Sequence, residues 1–392
     1  MTKTVVVLGG SLGGMAVTHQ LLKYTRPHQE DLKVILVSKV PTHTGLGEYS
    51  HFKQLTDLQN SHFFWNLASV RAIITGAIKD EEIFAPIQPG LDQYPDGSAH
   101  FIVGTASAVD PEARTVTVEP ETGASTKLKY DHLVIATGAE TVDPSLPWKA
   151  STSHEELVAS LRRTADKVER ATHVVVAGAG ATGVELAGEI QFAYPSTTVL
   201  LISAEDQILG GDQIAGRAES ELRRLGVEIR AGLRSEETTE LPDGKTLVKL
   251  SNGETIVTDV FLATMGLRPN SGFLPKEWLN EHGYADVDDE LRVKATTNVW
   301  AVGDIVSKPR ASFLITEAQA AGVYKNIDLV LKSKEAQPVS GPRVDAFLCA
   351  TGRSRGAGRL GKVPVPSLAV WTVKGRTLGI ERTKKYATGS MW

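Results

Sequence analysis

Cysteine is nearly missing from this 392-residue chain: Cys349 stands alone. That excludes an internal disulfide framework and any CxxC pair that could relay electrons. No run of 18 apolar residues occurs, so a spanning helix is not expected. Long blocks of one charge are missing too, and the formal net charge is only −4. Nucleic acid is therefore not the expected partner, since phosphate binding calls for a basic stripe. Apolar residues opening at Val5-Val6-Val7-Leu8 are interrupted by glycine from Gly9 onward, which leaves no usable signal-peptide core. Residue 2 is Thr2, not the glycine that N-myristoylation needs. A cytoplasmic protein is the default expectation. No His, Asp or Glu grouping has metal-ligand spacing such as HExxH, so no metal is expected.

What is abundant is glycine, 36 residues, and its placement is informative. Residues 4–8 (TVVVL) read as a buried strand running into Gly9-Gly10-Ser11-Leu12-Gly13-Gly14. A helix over 15–24 and a second strand over 33–38 complete a βαβ unit. The same order returns at 173–177, Gly178-x-Gly180-x-x-Gly183, a helix from Val184 and a strand over 198–203. In such a loop the first glycine permits the turn and the second admits a pyrophosphate. The third lets helix pack on strand, and the helix N-terminus offers free N–H groups to phosphate. The repeat predicts an α/β fold with two Rossmann-like dinucleotide-binding units and a small C-terminal segment. The first loop carries Ser11 where the second glycine belongs, which crowds the pyrophosphate. Its six residues also spell G-x-S-x-G, a hydrolase nucleophile elbow. That reading leaves the second loop unexplained, and an elbow normally follows several strands, not the first.

Each unit is followed by strand-like segments with turns between them. They lead to hydrophobic runs ending Ala136-Thr137-Gly138 and Ala263-Thr264-Met265-Gly266. A further short strand ends Gly303-Asp304, and a helix-like stretch begins near Thr316. The acid that usually grips a ribose is serine at both corresponding places, Ser38 and Ser203, so preference for NADH or NADPH is not readable.

These features, with Glu185 in the second unit, resemble the pyridine-nucleotide-dependent FAD oxidoreductases over nearly the whole chain. Residues 61–71 (SHFFWNLASVR), 352–358 (GRSRGAG) and 370–376 (VWTVKGR) resemble the apoptosis-inducing-factor-like, ferroptosis-suppressor-type branch, especially its fungal members. The resemblance implies FAD on Gly9, Gly10, Ser11, Leu12, Gly13 and Gly14, with Ser38, Lys39, Arg71, the Ala106 backbone, Thr137, Gly138, Gly303 and Asp304. It implies NADH or NADPH on Gly178, Gly180, Gly183, Ser203 and Gly266. Glu185 is expected where nicotinamide meets flavin, and Lys374 near the isoalloxazine; these two are the catalytic candidates. Gly379 departs from the branch, in which some members carry an aromatic residue there.

The implied organisation is an FAD domain over 1–145 and 288–335, an NAD(P)H domain over 146–287, and an acceptor-side segment over 336–392. The expected activity is hydride transfer from NAD(P)H to FAD, then electrons to a small acceptor such as a quinone. The chain could instead be a tailoring oxidase of small-molecule biosynthesis, or a redox-sensing or scaffold protein. Ala318-Gln319-Ala320 partly resembles the quinone-side motif of type II NADH dehydrogenases, against a plain helix-packing reading. The helix carrying it could aim its N-terminus at charge on reduced flavin. His62 lies in a branch-like stretch and is a candidate for flavin proximity. Cys349 reads as a buried small hydrophobe. Lys374, Arg376, Arg382, Lys384 and Lys385 read as a solvated face or as a peripheral membrane contact. Residues 40–59 lack periodicity, and excising them restores the branch pattern; we read them as a retained intron, with a functional lid as the rival.

Overall fold

The computed structural model describes residues 2–38, 62–120, 123–149, 153–306 and 312–392. Lys39 and the odd stretch 40–59 lie outside the described residues.

The first unit runs β1 (Lys3–Leu8), α1 (Leu12–Gln20), β2 (Leu32–Ser38), β3 (Ala99–Val103) and β4 (His132–Ile135). A π-helical turn, Leu21–Thr25, prolongs α1 to nearly the end expected for it. The second unit runs α2 (His154–Arg170), β5 (His173–Ala177), α3 (Ala181–Ala193), β6 (Thr198–Ile202), α4 (Ala215–Leu225), β7 (Glu228–Arg230) and β8 (Val260–Ala263). The chain then returns to the first sheet with β9 (Val299–Ala301), followed by α5 (Phe313–Leu331). The first sheet has the order β9-β4-β1-β2-β3 and the second β7-β6-β5-β8, with every pairing parallel.

Both units share one layered plan, dictated by the two-residue period of a strand. Val5 and Val7 of β1 face the large core that contains Met15 of α1 and Ile327 of α5. Val6 and Leu8 face a second core with Val116 and Val118, which belong to a three-stranded antiparallel sheet (Thr105–Asp110, Thr115–Glu119, Thr126–Lys129). In the second unit Val174 and Val176 of β5 join the large core, whereas Val175 packs with Val248 and Leu250 of another antiparallel sheet (Ser235–Glu240, Thr246–Leu250, Thr255–Thr258). A sheet covered on both faces explains why β1 and β5 read as unbroken valine runs.

Local chemistry fixes the helix ends. Ser153 caps α2 by accepting a bond from the Glu156 N–H at 3.1 Å. Left-handed Gly226 closes α4. The C-terminal segment forms an antiparallel sheet, β10 (Ala346–Ala350), β11 (Gly356–Leu360) and β12 (Val363–Val365), then short turns that pack back on both units. Gly188 on α3 makes that packing possible: a Cβ there would come within 2.6 Å of the Gly352 nitrogen.

Candidate functional site

The two glycine loops have the same geometry. Gly9 and Gly178 adopt φ of +115° and +104°, a region that β-carbon sterics deny to most residues. Each is anchored by its N–H, to Val37 O at 2.7 Å and to Ile202 O at 2.9 Å. A Cβ on Gly14 would overlap the carbonyl oxygen of Gly9, and one on Gly183 would overlap that of Gly178. Ser11 and Gly180 precede α1 and α3 in the same extended conformation, ψ −163° and −174°. Both helix N-termini therefore open where an anion could meet free N–H groups. These cradles fit two dinucleotides. Leu12 and Gly13 form the first turn of α1, and Gly13 is backed by Val302 and Thr316, the latter in the first turn of α5.

The loops differ at their middle. A Cβ on Gly180 would meet nothing within 4 Å, so the protein itself does not require glycine there. In the first loop the crowded residue is Gly10, where a Cβ would lie 2.8 Å from the Ser38 hydroxyl. Ser38 thus borders the cradle. Ser203 instead is buried, its hydroxyl donating to the Gln207 carbonyl at 3.3 Å. Thr137 and Gly138 are held by Asn270 through three bonds of 2.9–3.0 Å. Gly266 accepts from the Val142 N–H at 3.3 Å. Ala106 lies opposite Val118 at a register shift in its strand.

Asp304 sits in the short turn Gly303–Ile305 after β9 and pairs with Lys149 Nζ at 2.6 Å. Trp148, beside that lysine, donates its indole N–H to Ala263 O at the end of β8. This Trp148-Lys149 step clasps the two sheets together. The Gly303 N–H donates to Gln319 Oε1 at 2.8 Å, so the glutamine of the Ala-Gln pair holds the Gly-Asp turn. The helix carrying it starts at Phe313, three residues before the start read from sequence.

Glu185 and Lys374, far apart in sequence, meet at 2.6 Å. Glu185 also accepts from the Ala350 N–H at 3.0 Å, and Lys374 donates to Leu348 O at 2.9 Å. Lys374 lies in a π-helical turn, Trp371–Gly375. Burial alone would lower its affinity for a proton, but the Glu185 carboxylate beside it outweighs this and holds the ammonium above its ordinary range. It is therefore not one of a row of solvated cations, although Lys384 and Lys385 are exposed. Cys349 is fully buried, and burial first, then Glu185, pushes its thiol well above the usual value. It packs as a small hydrophobe.

Arg71 is nearly buried in an ion pair with Glu189, one turn beyond Glu185 on α3. His62 stacks on His154 at 4.2 Å between ring centroids, at the start of α2. Gly379 lies under Trp65: a Cβ there would come within 2.9 Å of the indole Cζ2, and the indole N–H donates to Leu378 O at 2.8 Å.

Sequence reading missed Lys149, Trp148 and Glu189. Glu189 carried a signal, an acid at i+4 from Glu185 within an otherwise apolar helix (residues 184–191, VELAGEIQ). Lys149 carried none. Among the described residues no group of His, Cys, Asp and Glu could hold a metal ion, and no helix is long and apolar enough to cross a membrane.

Comparison with known proteins agrees with this geometry. Residues 3–322 match the profile of the pyridine nucleotide-disulphide oxidoreductases. The chain is 33% identical to oxidoreductase ptaL of Pestalotiopsis fici, over 99% of this chain and all of that one. It is 24% identical to human ferroptosis suppressor protein 1, over 97% and 95% of the two chains. Its fold is similar to the sulfide:quinone oxidoreductase of Aquifex aeolicus, with TM-score 0.74 and 16% identity over 99% of this chain and 92% of that one. The water-forming NADH oxidase of Lactobacillus brevis follows at TM-score 0.68 and 20% identity, over 92% and 75%.

Proposed function

From the premise that this chain belongs to the pyridine nucleotide-disulphide oxidoreductase family, we propose that it is an NAD(P)H:quinone oxidoreductase. An FAD-binding, NAD(P)H-dependent oxidoreductase is what that family and the paired folds establish; the acceptor is our reading. The observation that carries it is the chain's one cysteine, sealed inside the protein. With no cysteine partner there is no dithiol to receive electrons, so a small acceptor takes them directly.

Bound FAD supplies a hydride acceptor and an electron relay, chemistry that belongs to the cofactor. The chain's residues bind, orient and neutralise. The first cradle, Gly9 to Gly14 with Ser38, holds the FAD pyrophosphate and ribose. Ala106 would offer its backbone to the adenine, and Asp304, paired with Lys149, would hold the ribityl chain. Thr137 and Gly138 line the same crevice at the strand ends. The second cradle, Gly178, Gly180 and Gly183, would hold the pyrophosphate of NAD(P)H, with Ser203 and Gly266 just beyond the ends of the neighbouring strands. Glu185 orients the nicotinamide. Lys374, kept charged by Glu185, would supply an ammonium to offset negative charge on the reduced cofactor.

The C-terminal segment exposes Val363, Leu368 and Val373 to 60–68%, near Lys362. Exposed apolar side chains in a segment that also carries exposed Lys362, Lys384 and Lys385 suit a peripheral membrane contact, from which a lipid-soluble quinone would be drawn. Steady-state NADH oxidation with and without a soluble quinone tests the reading. We expect turnover to depend on quinone; turnover that ignores quinone and needs an organic substrate would replace it with the tailoring-oxidase alternative.

A further inference from the structure

Lys374 reaches Glu185 from a short π-helical turn, and the backbone that follows it is held by a residue from far away in sequence. Arg71, on the short helix Ser69–Ala72, donates Nη2 to Gly375 O at 2.6 Å and Nη1 to Arg376 O at 2.9 Å, the two carbonyls directly after Lys374. The same guanidinium grips Glu189 with Nε at 3.0 Å from both carboxylate oxygens and Nη2 at 2.5 Å. A guanidinium has five N–H donors, and these contacts use four of them. Glu189 has no exposed surface, and Arg353 Nε reaches it at 3.1 Å from the C-terminal segment. Glu185 and Glu189 stand one helical turn apart on α3, the helix that opens at the second cradle. One helix thus carries the acid that pairs with Lys374 and the acid that holds Arg71, whose guanidinium grips the two carbonyls after Lys374.

We propose that Arg71 and Glu189 are a positioning pair that sets Lys374 against Glu185, and that the Arg71 side chain serves this purpose in place of gripping FAD. A planar guanidinium fork suits the role, because it spends four N–H groups on a carboxylate and two carbonyls, and a lysine ammonium has only three, on a single nitrogen. The inference rests on the proposed role of Glu185 and Lys374 in hydride transfer.

The test uses the full-length holoprotein and the variants R71K, K374M and the double variant R71K/K374M. Flavin content and melting temperature are measured first, then the limiting rate and half-saturation of NADH-driven flavin bleaching across pH. R71K is expected to keep wild-type flavin content and NADH half-saturation while its limiting rate falls on the order of tenfold. Its alkaline limb should move to lower pH, because Lys374 then sits less well against Glu185. In the K374M background, R71K should cost almost nothing more, since the pair acts through Lys374. Additive losses in the double variant would overturn the proposal. So would R71K losing its flavin while the holo fraction reacts at the wild-type rate, which would make Arg71 a flavin ligand. A lowered melting temperature with an unchanged rate and pH profile would also overturn it, leaving only a structural brace. A wild-type flavin that NADH cannot bleach would instead mark failure of the functional reading itself.

Discussion

The two glycine cradles share a backbone and differ in what surrounds it. In both, a third glycine lies against the carbonyl of the first, and in both the first glycine is left-handed. Their middles diverge: the first loop carries Ser11 where the second carries Gly180, a position left in open space. Glycine at the fold-determining corners is thus a demand of the chain, whereas at the middle position the chain makes no such demand. This is why Ser11 can stand in the first loop without disturbing the fold.

The strongest way to break the comparison is at the corners. G14A should strip FAD from the protein, and G183A should leave FAD bound but abolish its reduction by NADH. Either overlap is with a backbone oxygen of the same turn and costs about 3 kcal/mol unless the turn shifts, which dismantles the cradle. Absorbance at the flavin band before and after NADH reads both; if each variant lost both ligands, the cradles would not be separable units.

A smaller effect is expected at the ion pair. K374M should slow flavin bleaching roughly tenfold to a hundredfold at unchanged flavin content, by removing a charge stabiliser. It also leaves Glu185 unpaired in a buried place, so E185Q/K374M should be the better folded of the two. Melting curves check this order.

Acid should separate the two units more gently. His19 and His132, both packed in the first unit, have proton affinities lowered by burial from 6.5 to about 4. Their folded values lie below the unfolded one, so the stability they confer is complete above pH 6.5. It is lost as pH falls toward 4, because the unfolded chain takes up protons that the folded one refuses. The urea midpoint should drop between pH 7 and pH 5, and H19Q should flatten that slope.

The smallest expected effect is the exchange of the loop middles. A Cβ at Gly180 meets no protein atom within 4 Å, so G180S should leave stability unchanged and raise NADH half-saturation only about twofold. S11G should tighten FAD by a similar amount, each worth about 0.4 kcal/mol. A large loss of stability in G180S would contradict the reading of Gly180 as free space.

Much of this was legible because it depends on short-range pattern. The β1 and β5 valine runs, the glycine corners and the helices that follow were readable within a residue or a few, since steric rules act locally. Family resemblance singled out Glu185 and Lys374 one by one, but neither their pairing nor Arg71's bond to Glu189 was readable. Those contacts span more than a hundred residues and depend on how the C-terminal segment folds back, which no local period encodes. Lys149 shows the same limit: its partner Asp304 was singled out, but a lysine in a linker looks like any solvated cation. Ser203 looked like a ribose contact by position, yet its hydroxyl turns inward to Gln207.

Everything turns on whether two cradles, one for FAD and one for NAD(P)H, serve a single hydride transfer. The visible spectrum of the purified protein before and after NADH, under anaerobic conditions, asks this without an assumed acceptor. We expect a yellow protein with one flavin per chain that bleaches on mixing. A colourless protein, or a bound flavin that keeps its colour in excess NADH and NADPH, would contradict the paired-cradle reading.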